Sequence, residues 1–242
     1  SVSHDNKLVA YGVDTVSRRQ YTIHFKNLET GEILGDAILN TTGYAPWAAD
    51  NKTVFYTRKD EVTLRPDKVY RHKLGDNPAE DPVIFHEEDE TFRTMAMLSK
   101  SMEYIMIGSF STLSSEYRLL RADDPQGEFT LFSPREADLE YYVSHYKDKF
   151  YIRTNFEAKN FRLMETPANK TARANWTEVI PQMKDVLLED FEVFNTYLAL
   201  QERSNGLTEI RIMSHDGTKV LYIKFAKQAH TFYLQTNLDL TT

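Results

Sequence analysis

The sequence predicts an all-β fold assembled from a repeated four-stranded module, and three observations carry that expectation. A polar turn followed by a strand recurs along the chain. A second strand element recurs with the same period. No stretch sustains a helical period long enough to organise a fold.

The polar turn comes first in each module. It appears as Asp5-Asn6-Lys7-Leu8-Val9-Ala10-Tyr11, then as Asp50-Asn51-Lys52-Thr53-Val54-Phe55-Tyr56. Later copies start at Lys100, Lys147 and Phe194, so successive starts lie 45, 50, 47 and 47 residues apart. The next strand carries an aromatic or apolar residue before Arg: Tyr70-Arg71, Tyr117-Arg118, Phe161-Arg162 and Ile210-Arg211. The first copy, Tyr21-Thr22-Ile23, lacks the Arg. A third strand is expected over residues 32–39, 82–86, 128–132, 177–181 and 220–225. Turn-formers precede these, among them Glu29-Thr30-Gly31, Asp76-Asn77-Pro78 and His215-Asp216-Gly217. Before each later polar turn a further short strand is expected, over 43–47, 91–98, 140–145 and 189–193. The best helical candidates, 169–176 and 183–188, are too short to matter.

Four short strands per 44–50 residues is the pattern of a propeller blade. A two-sheet sandwich has strands at similar spacing but no reason to repeat every fourth one. Five blades are expected, at 1–40, 41–86, 87–134, 135–182 and 183–226, with 227–242 as the inner strand of another. The chain therefore reads as an incomplete β-propeller.

Antiparallel strands send alternate connections to opposite faces of the module. The polar turns and the Gly/Asp/Pro hairpins share one face. The other face carries the longer loops: 14–19, 58–67, 110–116, 155–160 and 202–206, with the blade-to-blade connections 40–42, 86–90, 133–139 and 182–188. Function concentrates on such loops. Their charge is mixed, with Arg18, Arg19, Arg58, Lys59, Asp60 and Arg65 in one region and Glu87, Glu88, Asp89 and Glu90 in another. That mixture suits either a docking surface for another domain or solvated loop tips.

Composition narrows the function. A net charge of −7 opposes nucleic-acid binding, which wants a basic face. Cysteine is absent, which removes disulfide and thiolate chemistry and fits the cytoplasm, with the periplasm as the other compartment. No apolar run reaches the ~20 residues of a membrane span. Ser1-Val2-Ser3-His4-Asp5 has neither the basic nor the apolar region of a signal peptide, and the missing initiator Met points to processing or truncation. The Asn-x-Thr triplets at Asn40, Asn51, Asn169 and Asn175 are what turn-rich sequence generates.

Catalytic motifs are missing. Gly108-Ser109-Phe110-Ser111-Thr112 lacks the second glycine of a nucleophile elbow. His86-Glu87-Glu88-Asp89-Glu90 lacks the second His of a zinc helix, and no metal or cofactor is expected. His24 and His72 read as strand residues. Carboxylate pairs such as Glu87-Glu88 and Asp123-Asp124 are adjacent in loops, which is poor geometry for glycoside hydrolysis.

Several strings are more specific. Asp14 to Ile23, Thr57 to Pro66 followed by Val69-Tyr70-Arg71-His72, Lys159 to Met164, and Glu202 to Leu207 resemble the propeller of the oligopeptidase B (protease II) branch of the prolyl oligopeptidase family. The resemblance covers essentially the whole chain. It implies a seven-bladed propeller, of which this chain would supply blades two to six and the start of the seventh. It also implies a partner, an α/β-hydrolase domain with a Ser-Asp-His triad, and cleavage of short basic peptides after Lys or Arg. The loops 86–90 and 109–113 match positions that face the family's active-site cavity. On that footing Glu87, Glu88, Ser111, Thr112, Arg58 and Arg65 are candidate cavity or interdomain contacts, with Glu87 or Glu88 pairing with an Arg of the hydrolase domain or attracting a cationic peptide.

The expected function is therefore a non-catalytic, substrate-gating part of a serine oligopeptidase, inactive in isolation. Open blade edges would favour self-association. The alternatives are a freestanding propeller that serves as a protein-binding scaffold and, more remotely, a propeller glycosidase.

Overall fold

The computed structural model describes residues 1–223, 232–237 and 239–241, and they form β-strands joined by turns and loops. The chain divides into two compact units, Ser1–Pro134 and Arg135–Thr242. All sheet pairing is antiparallel.

The first unit opens with β1 (Leu8–Val13), β2 (Tyr21–Asn27) and β3 (Ile33–Thr41), followed by β4 (Thr53–Lys59), β5 (Pro66–Lys73) and β6 (Val83–His86). These six run in order as one sheet, yet β3 and β4 share only the pair Thr41↔Arg58. The sheet is thus two three-stranded layers hinged at one point. A separate four-stranded sheet follows, with β7 (Arg93–Leu98), β8 (Tyr104–Phe110), β9 (Ser115–Arg121) and β10 (Thr130–Ser133). The second unit holds two more. One contains β11 (Tyr141–Tyr146), β12 (Lys149–Thr154), β13 (Arg162–Pro167) and β14 (Thr177–Ile180). The other contains β15 (Val186–Val193), β16 (Tyr197–Ser204), β17 (Leu207–Ser214) and β18 (Val220–Tyr222).

The fold is a β-propeller fragment, and burial along the strands shows why. β4, β8 and β16 each bury five residues in a row, as strands covered on both faces do. β18 is exposed throughout. Successive side chains of a strand point to opposite faces. Val54 and Tyr56 accordingly join a core with Phe25, Ile38 and Trp47, while Phe55 between them joins another with Ile105, Ile107 and Leu120. One strand seals two cores. In the second unit Tyr151, Leu163, Leu188, Val193, Leu198 and Leu200 close a third core between its two sheets.

The polar turns use the chemistry their sequence suggests. Asn6, Asn51, Met102 and Lys147 sit at φ between 55° and 61°, the left-handed region that Asn tolerates. Asp50 Oδ1 accepts the N–H groups of Lys52 (2.9 Å) and Thr53 (2.8 Å).

A buried polar cluster ties β3 to β5. His72 is fully buried, with Nδ1 2.9 Å from Asp81 Oδ1 and Nε2 3.3 Å from Asp36 Oδ1. Tyr56 donates its hydroxyl to Asp81 Oδ2 at 2.9 Å. His72 is a strand residue, as the sequence suggests, with the added task of joining two carboxylates.

Three expectations are corrected. Residues 43–47 form no strand, only the bridge Trp47↔Val54, because Pro46 has no N–H to give a ladder and Gly43 sits at φ 88° under the Tyr21 ring. Residues 186–188, expected in a connection, belong to β15, which tracks its hairpin partner as far as Val186↔Ser204. The short helical candidates reduce to a 3-10 turn at Arg173–Asn175 and, for 183–188, to the bridge Met183↔Val186 leading into β15. Of the strand expected over 227–242, residues 227–231, 238 and 242 lie outside the described residues, and 232–237 and 239–241 are not in a strand. Of those described, Leu234 N–H donates to Gln201 Oε1 at 2.6 Å and Leu240 O accepts from Asn195 N–H at 2.7 Å.

Candidate functional site

The long loops of the first unit are held by short polar side chains within them. In the β1–β2 loop, the Asp14 carboxylate accepts the N–H groups of Val16 (3.0 Å) and Arg19 (2.7 Å), with Ser17 and Arg19 at positive φ. Desolvation pushes the Asp14 carboxyl up, and these N–H groups outweigh it and hold it below its usual range. In the β4–β5 loop, Asp60 Oδ1 accepts from Thr63 N–H (2.7 Å), Thr63 Oγ1 (2.8 Å) and Val62 N–H (3.1 Å). The Thr63 bonds hold the Asp60 carboxyl low.

That loop aims Arg65. Its guanidinium donates to Phe92 O at 2.9 Å, Glu87 O at 3.1 Å and Asp89 O at 3.2 Å. Arg65 therefore clamps the β6–β7 connection through three carbonyls, a task suited to a planar fork of donors. Beside it the β8–β9 loop is closed by Ser111 N–H on Ser114 O (2.9 Å) and Ser114 N–H on Ser111 Oγ (3.1 Å).

Arg65, Ser111 and Thr112 line one open cleft of about 890 Å³. Arg18, Arg19, Lys59 and Arg93 line it too, with Glu90 as its carboxylate. Lys59 Nζ donates to Arg19 O. Desolvation lowers the Lys59 pKa, and the Arg19 charge lowers it further, against a smaller upward pull from Asp14.

The other candidates go elsewhere. Glu87 is buried, its N–H on Asp67 O (2.8 Å) and its Oε1 accepting from Asp89 N–H (3.2 Å). Glu88 is exposed on the same connection. Arg58 lines a second cleft of about 790 Å³, its guanidinium 4.7 Å from the Tyr70 ring centre and Nη2 donating to Pro78 O at 3.3 Å. The structure thus groups three of the six in one cleft and separates the rest. Arg93 escaped the sequence reading. Its signal was the alternation in β7, where Arg93 and Met95 are exposed while Thr94 and Ala96 are buried. Among the described residues, no group of three or more His, Asp or Glu side chains is placed to hold a metal ion.

Residues 1–239 match the family model described as "Prolyl oligopeptidase, N-terminal beta-propeller domain". The chain is 39% identical over 242 residues to dipeptidyl aminopeptidase BI of Pseudoxanthomonas mexicana, covering 100% of this chain and 33% of that protein. It is 33% identical over 215 residues to Protease 2 of Moraxella lacunata, covering 88% of this chain and 31% of that protein. Among solved structures, oligopeptidase B of Leishmania major superposes with a TM-score of 0.84 at 28% identity, over 93% of this chain and 33% of that one. Oligopeptidase B of Trypanosoma brucei, in a closed form with covalently bound antipain, gives 0.82 at 26% identity, over 94% of this chain and 32% of that one. The chain spans about a third of the length of each of these relatives.

Proposed function

This chain belongs to the prolyl oligopeptidase N-terminal β-propeller family, and from that premise we propose that it is the non-catalytic, substrate-gating part of a serine oligopeptidase that cleaves short peptides after Lys or Arg. The family match across residues 1–239 carries the reading. In this account the partner is an α/β-hydrolase domain that supplies the nucleophile, and the propeller presents ordered loops to peptides bound for it. A cytoplasmic location is part of the same proposal.

The physical support lies in loop order. Asp14, Asp60 and Arg65 fix three loops before any ligand arrives. Loops ordered in advance lower the entropic cost of binding, which is ~0.5–1.5 kcal/mol for each side chain that would otherwise be immobilised.

The relatives' names leave two modes of cleavage to separate, internal cuts and release of dipeptides from a free N-terminus. The test uses the full-length protein that carries this chain and a panel of short peptides with free or acetylated N-termini, with products read by mass spectrometry. Cuts after Lys or Arg inside acetylated peptides are expected. Products confined to dipeptides from unblocked N-termini would overturn the specificity proposed.

A further inference from the structure

The cleft beside Arg65 collects cations that the fold leaves unpaired. Arg18, Arg19, Lys59, Arg65 and Arg93 line it against a single carboxylate, Glu90, in a chain whose net charge is −7. Among the described residues none of these five makes an ion pair with a carboxylate. Arg65 is spent on backbone carbonyls and Lys59 on Arg19 O. The Arg18 and Arg93 side chains are exposed and make no hydrogen bond within the described residues.

The hydroxyls around the cleft are largely committed to their own turns. Thr63 Oγ1 donates to Asp60, Thr91 Oγ1 to Asp89, and Ser111 Oγ to Ser114 O. Recognition of an anion falls to the guanidinium groups, whose paired N–H donors match a carboxylate bidentately. Desolvation is the main cause of the lowered Lys59 pKa, and the neighbouring Arg19 charge adds to it against a smaller opposing pull from Asp14. Apolar surface adjoins them: Leu64 and Met95 are exposed on the cleft wall, 39% and 45% respectively. A cleft of about 890 Å³ lies within the size range of ligand sites.

We propose that this cleft binds the C-terminal carboxylate of a peptide through Arg18 and Arg93, with the last side chain of that peptide on Leu64 and Met95. The inference rests on the peptide-handling function proposed above and adds a preference for the free acid. It also means that the cleft selects a peptide end, which an internal stretch of a long chain cannot supply.

The test is isothermal titration of the full-length protein that carries this chain with an N-acetylated hexapeptide ending in Leu and free of Lys and Arg, as the free acid and as the C-terminal amide, at low salt. The acid is expected to bind ~10-fold more tightly than the amide, the effect of one charge-assisted contact. That preference should fade with added salt and vanish in the double variant Arg18→Ser, Arg93→Ser. Both side chains are exposed, so the variant should keep the parent's circular dichroism, and the acid-against-amide ratio of the parent stands on its own. Equal binding of acid and amide by the parent would overturn the carboxylate site and leave peptide handling intact. An acid preference unchanged in the double variant would move the site elsewhere and overturn the assignment. Binding of neither peptide would overturn the carboxylate site as well, while the peptidase function stands or falls separately on the cleavage panel above.

Discussion

Asp81→Ala should be among the most damaging single changes in the first unit, and its cost should depend on pH. Asp81 accepts from Tyr56 Oη and meets the His72 ring, both at 2.9 Å, and His72 has no exposed surface. A neutral hydrogen bond contributes about 0.5–1.5 kcal/mol and one to a charged group about 1.5–3 kcal/mol. The two together give an expected loss of about 2–4 kcal/mol at mildly acid pH. Burial pushes the His72 pKa down, but hydrogen bonding and charge from Asp81, then Asp36, outweigh it and leave the value raised. A raised folded-state pKa stabilises fully below the unfolded value of about 6.5, and the contribution is lost as pH rises through the folded value. Without Asp81 the burial effect gains ground, and acid then favours the unfolded chain. The variant's deficit should therefore be larger near about pH 6 than near about pH 9. Urea unfolding followed by Trp47 fluorescence measures it, in a Trp176→Phe background that silences the second unit. Trp47 reports locally, since its ring lies 5.7 Å from Phe25, which stacks on His72 at 6.0 Å. A deficit below about 1 kcal/mol, or one equal at both pH values, would refute this account of the cluster.

Two further changes probe the scaffold of the cleft. Arg65→Lys keeps the charge but replaces a fork with a point donor. The amides of residues 87–92 should then exchange with solvent ~10-fold faster or more, and unchanged protection would mean that Arg65 does not order the connection. Gly12→Ala should cost about 1–3 kcal/mol in urea unfolding, because an added Cβ would stand 2.6 Å from the Gly43 Cα and O, backbone against backbone. Gly35→Ala meets nothing within 4 Å and is the control, expected to be neutral or slightly stabilising. Equal effects at the two glycines would contradict the close approach.

The blade repeat was legible because it is written in two registers at once. The polar turn needs a left-handed residue, hence Asn6 and Asn51, and the strand after it is buried on both faces, hence Val54-Phe55-Tyr56. Less was legible where one residue overrides a pattern. Pro46 removes the donor that a strand over 43–47 would use, although the apolar spacing there reads as extended. Glu87 stands in an acidic run that looks like a solvated tip. The bond from its N–H to Asp67 O carries the β5–β6 ladder one residue further, and its side chain lies inside. The cationic cleft was half visible. Arg18, Arg19, Lys59 and Arg65 stood out as loop charges, but their convergence with Arg93 depends on which strands are neighbours, and linear charge patterns do not encode that.

The claim at the centre of this account is that the chain gates peptides and another domain cuts them. A fluorophosphonate label, applied to the full-length protein that carries this chain and mapped by peptide mass spectrometry, tests it most directly. The account predicts one labelled serine, outside residues 1–242, with loss of peptide hydrolysis in proportion to labelling. A labelled serine within residues 1–242 that accounts for the activity would contradict it.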